Sequence, residues 1–149
     1  MLWGIDPLLD ADLLCALRRM GHGDEIAVVD TNFPAVSTAR STVTGKPVAM
    51  AGVSSARAIE AVLSVMPLDT FVPDPAGRME VVGDPNAVPP VQREVQQVLD
   101  RAAGKHVPLQ GIERFAFYER AKSAFVILVA GERRHYGCFI FKKGVLPPE

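Results

Sequence analysis

Glu25-Ile-Ala-Val-Val-Asp30 constrains the fold of this chain more than any other segment, because its apolar residues follow one another without alternation. A strand with one wet face alternates apolar and polar side chains, whereas a strand covered on both faces does not. Ala124 to Ala130 is a second run of the same kind. Two such strands need layers above and below them, so helices must be found on either side. Asp30 then stands at the carboxyl end of its strand, the edge of an open α/β sheet where ligands bind.

The helices can be read from spacing and caps. Asp10 opens one in which Leu13, Leu14, Leu17 and Met20 share a face and Gly21 suits a left-handed end. Ser54 or Ser55 opens a second, running to about Val65 before Pro67. Val91 to Ala103 is a third, closed by Gly104, and Glu113 to Lys122 a fourth. Thr31 to Thr38 and Phe71 to Pro75 read as loops. Thr42-Val-Thr with Val48-Ala-Met reads as strand and turn, Met79 to Val82 as a short strand, and Val107-Pro-Leu109 as a strand confined to an edge by its proline. Tyr136 to Lys142 reads as the last strand, joined to the Ala124–Ala130 run by a tight turn at Gly131-Glu132, so that this pair is antiparallel. The expectation is one α/β domain over residues 1–149, a three-layer α/β/α sandwich with a mixed, mostly parallel sheet.

Composition narrows the partners. With 48% hydrophobic and 22% charged residues in 149, the chain has material for a core and too little charge for disorder. Sixteen basic against 17 acidic residues leave a net charge of −1, which offers no general attraction to nucleic acid or to an anionic membrane. The longest apolar run is about a third of a membrane span. Met1-Leu-Trp-Gly-Ile-Asp-Pro has neither the basic start nor the apolar stretch of a secretory leader, so a cytoplasmic protein is expected. Cys15 and Cys138 form no metal-ligand spacing. A mean hydropathy of +0.16 hints at surface buried between copies of the chain.

Few residues stand out as chemically able. His22 lies between Gly21 and Gly23, which leave its imidazole uncovered; it reads either as an acid/base group near neutral pH or as a loop histidine at a helix end. Asp24 and Glu25 read as solvated or bonded to the loop backbone. Asp30 is either a turn-forming carboxylate or a ligand group. Arg114 and Tyr118, four apart, share one helix face and can reach one ligand, or only each other. Tyr136 begins the last strand beside His135 and Gly137. His106 reads as solvated loop, and three scattered histidines do not form a metal site. Gly-His-Gly-Asp-Glu precedes a strand and lacks the third glycine of a dinucleotide loop, which disfavours nucleotide binding.

Taken in order, Met20-Gly-His-Gly-Asp-Glu-Ile, Asp30-Thr-Asn-Phe-Pro-Ala35, Glu113-Arg-Phe-Ala-Phe-Tyr-Glu-Arg-Ala121 and Tyr136-Gly137 with Lys142-Lys-Gly-Val145 resemble the RbsD/FucU family of sugar mutarotases, from Leu2 to Val145. The third block is most similar to the L-fucose mutarotase branch. The resemblance implies a ring-forming homo-oligomer, commonly a decamer, with a monosaccharide site near a subunit boundary and no cofactor. It implies His22 as the proton donor, with Asp30 and Arg114 binding the sugar and Tyr136-Gly137 opening a further substrate-contacting segment. Tyr118, Tyr136 and Cys138 complete the expected set. The family usually has asparagine where this chain has Cys138, a weaker hydrogen-bonding group. Asp30 is expected to hold or polarise His22, or else to grip a sugar hydroxyl. The alternatives are a D-ribose pyranase and a non-catalytic sugar-binding or transport-accessory protein.

Overall fold

The computed structural model describes residues 2–147. Its centre is a six-stranded sheet in the order β2-β5-β1-β6-β3-β4. The strands are β1 (Glu25–Val29), β2 (Val48–Met50), β3 (Ala76–Met79), β4 (Gln110–Ile112), β5 (Val126–Ala130) and β6 (Phe139–Lys142). β1 pairs with β5, β5 with β2, and β3 with β4 in parallel, while β6 runs antiparallel to both β1 and β3. Five strands therefore point one way and β6 alone points back, the mixed and mostly parallel sheet expected.

Five helices cover the sheet: α1 (Ala11–Arg19), α2 (Ala35–Ala39), α3 (Ser55–Leu63), α4 (Pro90–Ala103) and α5 (Arg114–Lys122). The pleat sends neighbouring residues of β1 to opposite faces. Ile26 and Val28 enter a core with α1, α3 and α4, and Ala27 and Val29 enter a second core with α2 and α5. That division is the three-layer sandwich, and it explains why β1 has no polar alternation. Asp10 caps α1 by accepting from the Leu13 amide at 2.8 Å, and Ser54 caps α3 by accepting from Arg57 at 3.3 Å. Gly104 ends α4 at φ +67°.

Several expectations need correction. Gly21 is not left-handed; the turn is taken at Gly23, with φ +85°, where the chain bonds to Lys143 rather than closing α1. The second half of the Thr31–Thr38 stretch read as loop belongs to α2, because Ala35 and Ala39 bury against the sheet. β3 and β4 lie three residues away from the expected Met79–Val82 and Val107–Leu109, although β4 is an edge strand as its neighbouring proline required. Thr42-Val-Thr is turn, not strand. Glu25 is not solvated but takes a two-pronged ion pair from Arg120 of α5, with Nη2 to Oε1 at 2.6 Å.

The largest correction concerns the chain's end. β5 and β6 do not form a hairpin, because β1 lies between them. A strand apolar on both faces also needs a hydrogen-bonded neighbour on each side, and β1 obtains these from β5 and β6. Residues 131–138 must therefore cross the carboxyl end of β1. Tyr136 belongs to this crossing segment and does not begin β6; its backbone is left-handed at φ +61°, which a strand residue does not adopt.

Candidate functional site

Because β6 runs backwards, its first residues arrive at the same sheet edge as the carboxyl ends of β1 and β3. A cleft of about 440 Å³ opens there, lined by Asp30, Asn32, Phe33, Met79, Arg114, Tyr118, His135, Tyr136 and Cys138. It brings together five of the expected residues from three separate stretches of chain.

Asp30 holds the cleft's backbone in shape. Its carboxylate, only 5% exposed, accepts from the Asn32 amide at 3.0 Å and from the Gly137 amide at 3.2 Å. Asp30 therefore shapes a turn, as one of its two readings had it, and it also lines the cleft. Gly137 does not itself line the cleft, but a side chain there is excluded, since a Cβ would stand 2.7 Å from Glu132 Cγ and 3.3 Å from Ser55 Oγ.

Arg114 and Tyr118 lie one turn apart on α5 and both face the cleft. They do not pair with each other through hydrogen bonds. Tyr118 packs on Phe33 with ring centroids 5.4 Å apart, and the Arg114 guanidinium carbon lies 4.7 Å from the centre of the Phe115 ring. Arg114 Nε is buried and has no hydrogen-bond partner. A buried donor left unpaired costs about 1–3 kcal/mol, so the chain bears here the cost of an N–H with no acceptor of its own.

The Tyr136 hydroxyl accepts from the Val82 amide at 3.2 Å, and its carbonyl accepts from Gln92 Nε2 at 3.1 Å. Gln92, fully buried on α4, also donates to the Met79 carbonyl at 2.7 Å and accepts from Arg78 at 3.0 Å. Cys138 is buried in the cleft wall, where burial pushes its thiol well above the usual range and the Asp30 charge pushes in the same direction. Its thiol is held neutral.

His22 is elsewhere. It precedes β1 while Asp30 follows it, and five strand residues at about 3.3 Å each set the two ends about 16 Å apart. Within one chain the carboxylate beside His22 is Asp69, with Nε2 to Oδ2 at 3.1 Å. Asp69 is 2% exposed and His22 47%. The Asp69 amide donates to the Lys142 carbonyl, and its other oxygen accepts from the Phe71 amide at 2.9 Å. That backbone bond, and then His22, hold the Asp69 carboxyl below its usual range against the opposing effect of burial. Phe71, exposed, stands edge-on to the imidazole with centroids 5.6 Å apart. The sequence reading missed Asp69, which sits in a proline-rich loop 47 residues from its partner; only the Lys143-Gly144 return brings it near. The chain thus carries a buried carboxylate orienting a half-exposed imidazole at one sheet edge, and at the other a cleft lined by both polar and apolar side chains. His106, read as solvated, is indeed exposed and bonds Asp100 at 2.9 Å.

Among the described residues, no group of three or more His, Cys, Asp or Glu is arranged to hold a metal ion, and no helix is long and apolar enough to cross a membrane. Residues 3–146 match the model of the RbsD / FucU transport protein family. The chain is 46% identical to the fucose mutarotase of Bos taurus over 154 residues, covering 100% of this chain and 97% of that one. It is 45% identical to the fucose mutarotase of Homo sapiens, over 96% of this chain and 93% of that one. The crystal structure of the fucose mutarotase of Streptococcus pneumoniae in complex with L-fucose superposes with a TM-score of 0.87 at 33% identity, covering 98% of this chain and 100% of that one. Matched over nearly its whole length, this chain belongs to the RbsD / FucU family.

Proposed function

We propose that this protein is a monosaccharide mutarotase that interconverts the anomers of L-fucose or a closely related free sugar. The observation that carries the reading is its full-length identity of 46% to a fucose mutarotase, joined to a cleft in which Arg114 keeps a buried N–H unpaired. Mutarotation removes the proton of the anomeric hydroxyl and protonates the ring oxygen. The C1–O5 bond breaks, the open-chain aldehyde turns about C1–C2, and the ring recloses from the other face. The reaction as written needs proton transfers and no redox partner; a positioned acid/base group contributes roughly 10²- to 10⁴-fold to each.

In this reading Asp30, Arg114 and Tyr118 grip sugar hydroxyls, and Phe33, Met79 and Cys138 cover an apolar edge such as a 6-deoxy methyl. His22, oriented by Asp69, moves the proton. Since His22 and Asp30 of one chain are too far apart to meet one sugar, a second copy supplies the imidazole. Exposed Phe71 beside His22, and exposed Val36 and Phe115 on the helices flanking the cleft, are the apolar surface such a contact would cover. Copies related in this way close into a ring, on the family's pattern a decamer. An exposed free thiol at Cys15 suits the reducing cytoplasm, where we place the protein.

The test is NMR exchange spectroscopy on the anomeric protons of L-fucose and D-ribose. Accelerated exchange of fucose anomers is expected. Broadened ligand signals without acceleration would identify a binding or transport-accessory protein, and acceleration confined to ribose would identify a pyranase. Sedimentation should show an assembly; a monomer at micromolar concentration refutes the shared site.

A further inference from the structure

We infer that Glu132 is a positioning residue of the sugar cleft, holding the Tyr136–Cys138 segment at its height above Asp30; the inference rests on the cleft being the sugar site. Glu132 does not line the cleft, yet it is 4% exposed. A carboxylate so placed is costly unless its oxygens are filled. Oε1 accepts from the Arg134 amide at 3.0 Å and from Arg134 Nε at 2.8 Å. Oε2 accepts from Arg134 Nη2 at 2.8 Å and from the Ser55 amide at 3.3 Å. Ser55 is the first residue of α3, so the helix's positive end adds to the attraction. Arg134 turns its other edge to Glu94 on α4, at 2.7 and 2.9 Å.

Glu132 and its partner Arg134 together tie the crossing segment to two helices, and the ties lead directly into the cleft. The Glu132 carbonyl accepts from the Thr31 amide at 3.0 Å and from Thr31 Oγ1 at 2.9 Å, which fixes the residue between Asp30 and Asn32. Ser55 Oγ donates to the Gly137 carbonyl at 2.8 Å, while the Gly137 amide donates to Asp30. The Gly137 backbone lies flat against the Glu132 stem, with no room for a Cβ between them. Asp30 and the Tyr136–Cys138 segment are thus registered against each other through a common anchor on the dry side of the wall. No chemistry is asked of Glu132; the groups it holds are the ones a sugar meets.

Glu132→Gln keeps the volume but puts an amide N–H₂ against the Arg134 guanidinium. Ser55→Ala is the gentler variant and deletes only the bond to the Gly137 carbonyl. The measurement is the dissociation constant for L-fucose by saturation-transfer NMR, with the anomer-exchange rate per folded chain, both well below each variant's unfolding temperature. The expected result is affinity weakened about tenfold in Glu132→Gln and about threefold in Ser55→Ala, with the Gly137 amide resonance displaced in both. Variants that unfold earlier but bind L-fucose as tightly as the wild type, with Gly137 unmoved, would reduce Glu132 to a structural ion pair and overturn the inference. If Glu132→Gln does not fold, Arg134→Lys decides, since it keeps the charge but loses the guanidinium's paired bonds to Glu132: weakened L-fucose affinity with a displaced Gly137 resonance is expected, and wild-type affinity with Gly137 unmoved overturns the inference. A wild type that binds L-fucose without speeding exchange refutes the mutarotase reading and leaves the affinity comparison intact, and the Gly137 resonance needs no sugar at all.

Discussion

Replacing Gln92 with leucine tests how the floor of the cleft is supported. Gln92 is fully buried, and leucine fills nearly the same space without hydrogen-bonding atoms. The substitution strips the Met79 carbonyl of a donor at 2.7 Å, the Tyr136 carbonyl of one at 3.1 Å and Arg78 of an acceptor at 3.0 Å. A buried acceptor left unpaired costs about 1–3 kcal/mol. Tyr136 and Arg78 are half-buried and regain water, so each loses about 0.5–1 kcal/mol, and Arg78 keeps the carbonyls of Pro85 and Ala87. The apolar side chain returns about 1 kcal/mol. The net loss of about 1–4 kcal/mol lowers Tm by about 2–4 °C for each kcal/mol in a chain of this size, so by several degrees. Calorimetry should be run at one fixed protomer concentration, because self-association makes Tm concentration-dependent. Released from Gln92, the left-handed Tyr136 backbone also drifts, and L-fucose affinity falls. A Tm within about 1 °C of wild type, with unchanged affinity, refutes the reasoning.

Three further outcomes are expected. His22→Ala should slow anomer exchange by roughly 10²- to 10⁴-fold while L-fucose still binds, and Asp69→Asn should slow it less and displace the pH–rate profile; full exchange in His22→Ala would remove the imidazole from the mechanism. Glu132 is held near a pKa of about 2, chiefly by its bonds to Arg134, below its ordinary 4.5. Its folded value being the lower one, its contribution to stability is complete above about pH 5 and disappears as pH falls from 4.5 toward 2. Over that window Tm should fall more steeply in the wild type than in Glu132→Gln; parallel curves would contradict the assignment. Ellman's reagent should titrate one thiol per native chain, exposed Cys15, and a second only after denaturation, since Cys138 is buried and its thiol is held neutral. Rapid reaction of both thiols in the native protein would mean that the cleft wall opens.

What could be read in the amino-acid order was what neighbours in the chain decide among themselves. Caps at Asp10 and Ser54, the stop at Gly104, and the shared face of Arg114 and Tyr118 depend on contacts within one turn of helix. The unalternated runs of β1 and β5 needed only the rule that both faces of a strand must be covered, and from it came the layers and the sheet edge at which Asp30 stands. Recurrent blocks of sequence pointed to the family and to most of the cleft.

What the order of residues left open depends on which distant surfaces meet. The short connection around Gly131 suits a hairpin locally, but β1 gains a partner on each side only by entering between β5 and β6, and the whole sheet outweighs one turn. That insertion carries Tyr136, Gly137 and Cys138 across Asp30. Ala35 and Ala39 form a helix because the second core needs a cover, not because the segment favours one strongly. The carboxylate that orients His22 is Asp69 in a remote loop, and the anchor of the crossing segment is a glutamate whose donors come from α3 and from its own neighbour Arg134. Local spacing determined the pieces of this protein and the end of the sheet where its chemistry lies; only tertiary packing, by fixing strand order and bringing loops 47 or more residues apart into hydrogen-bond distance, decided which groups stand together.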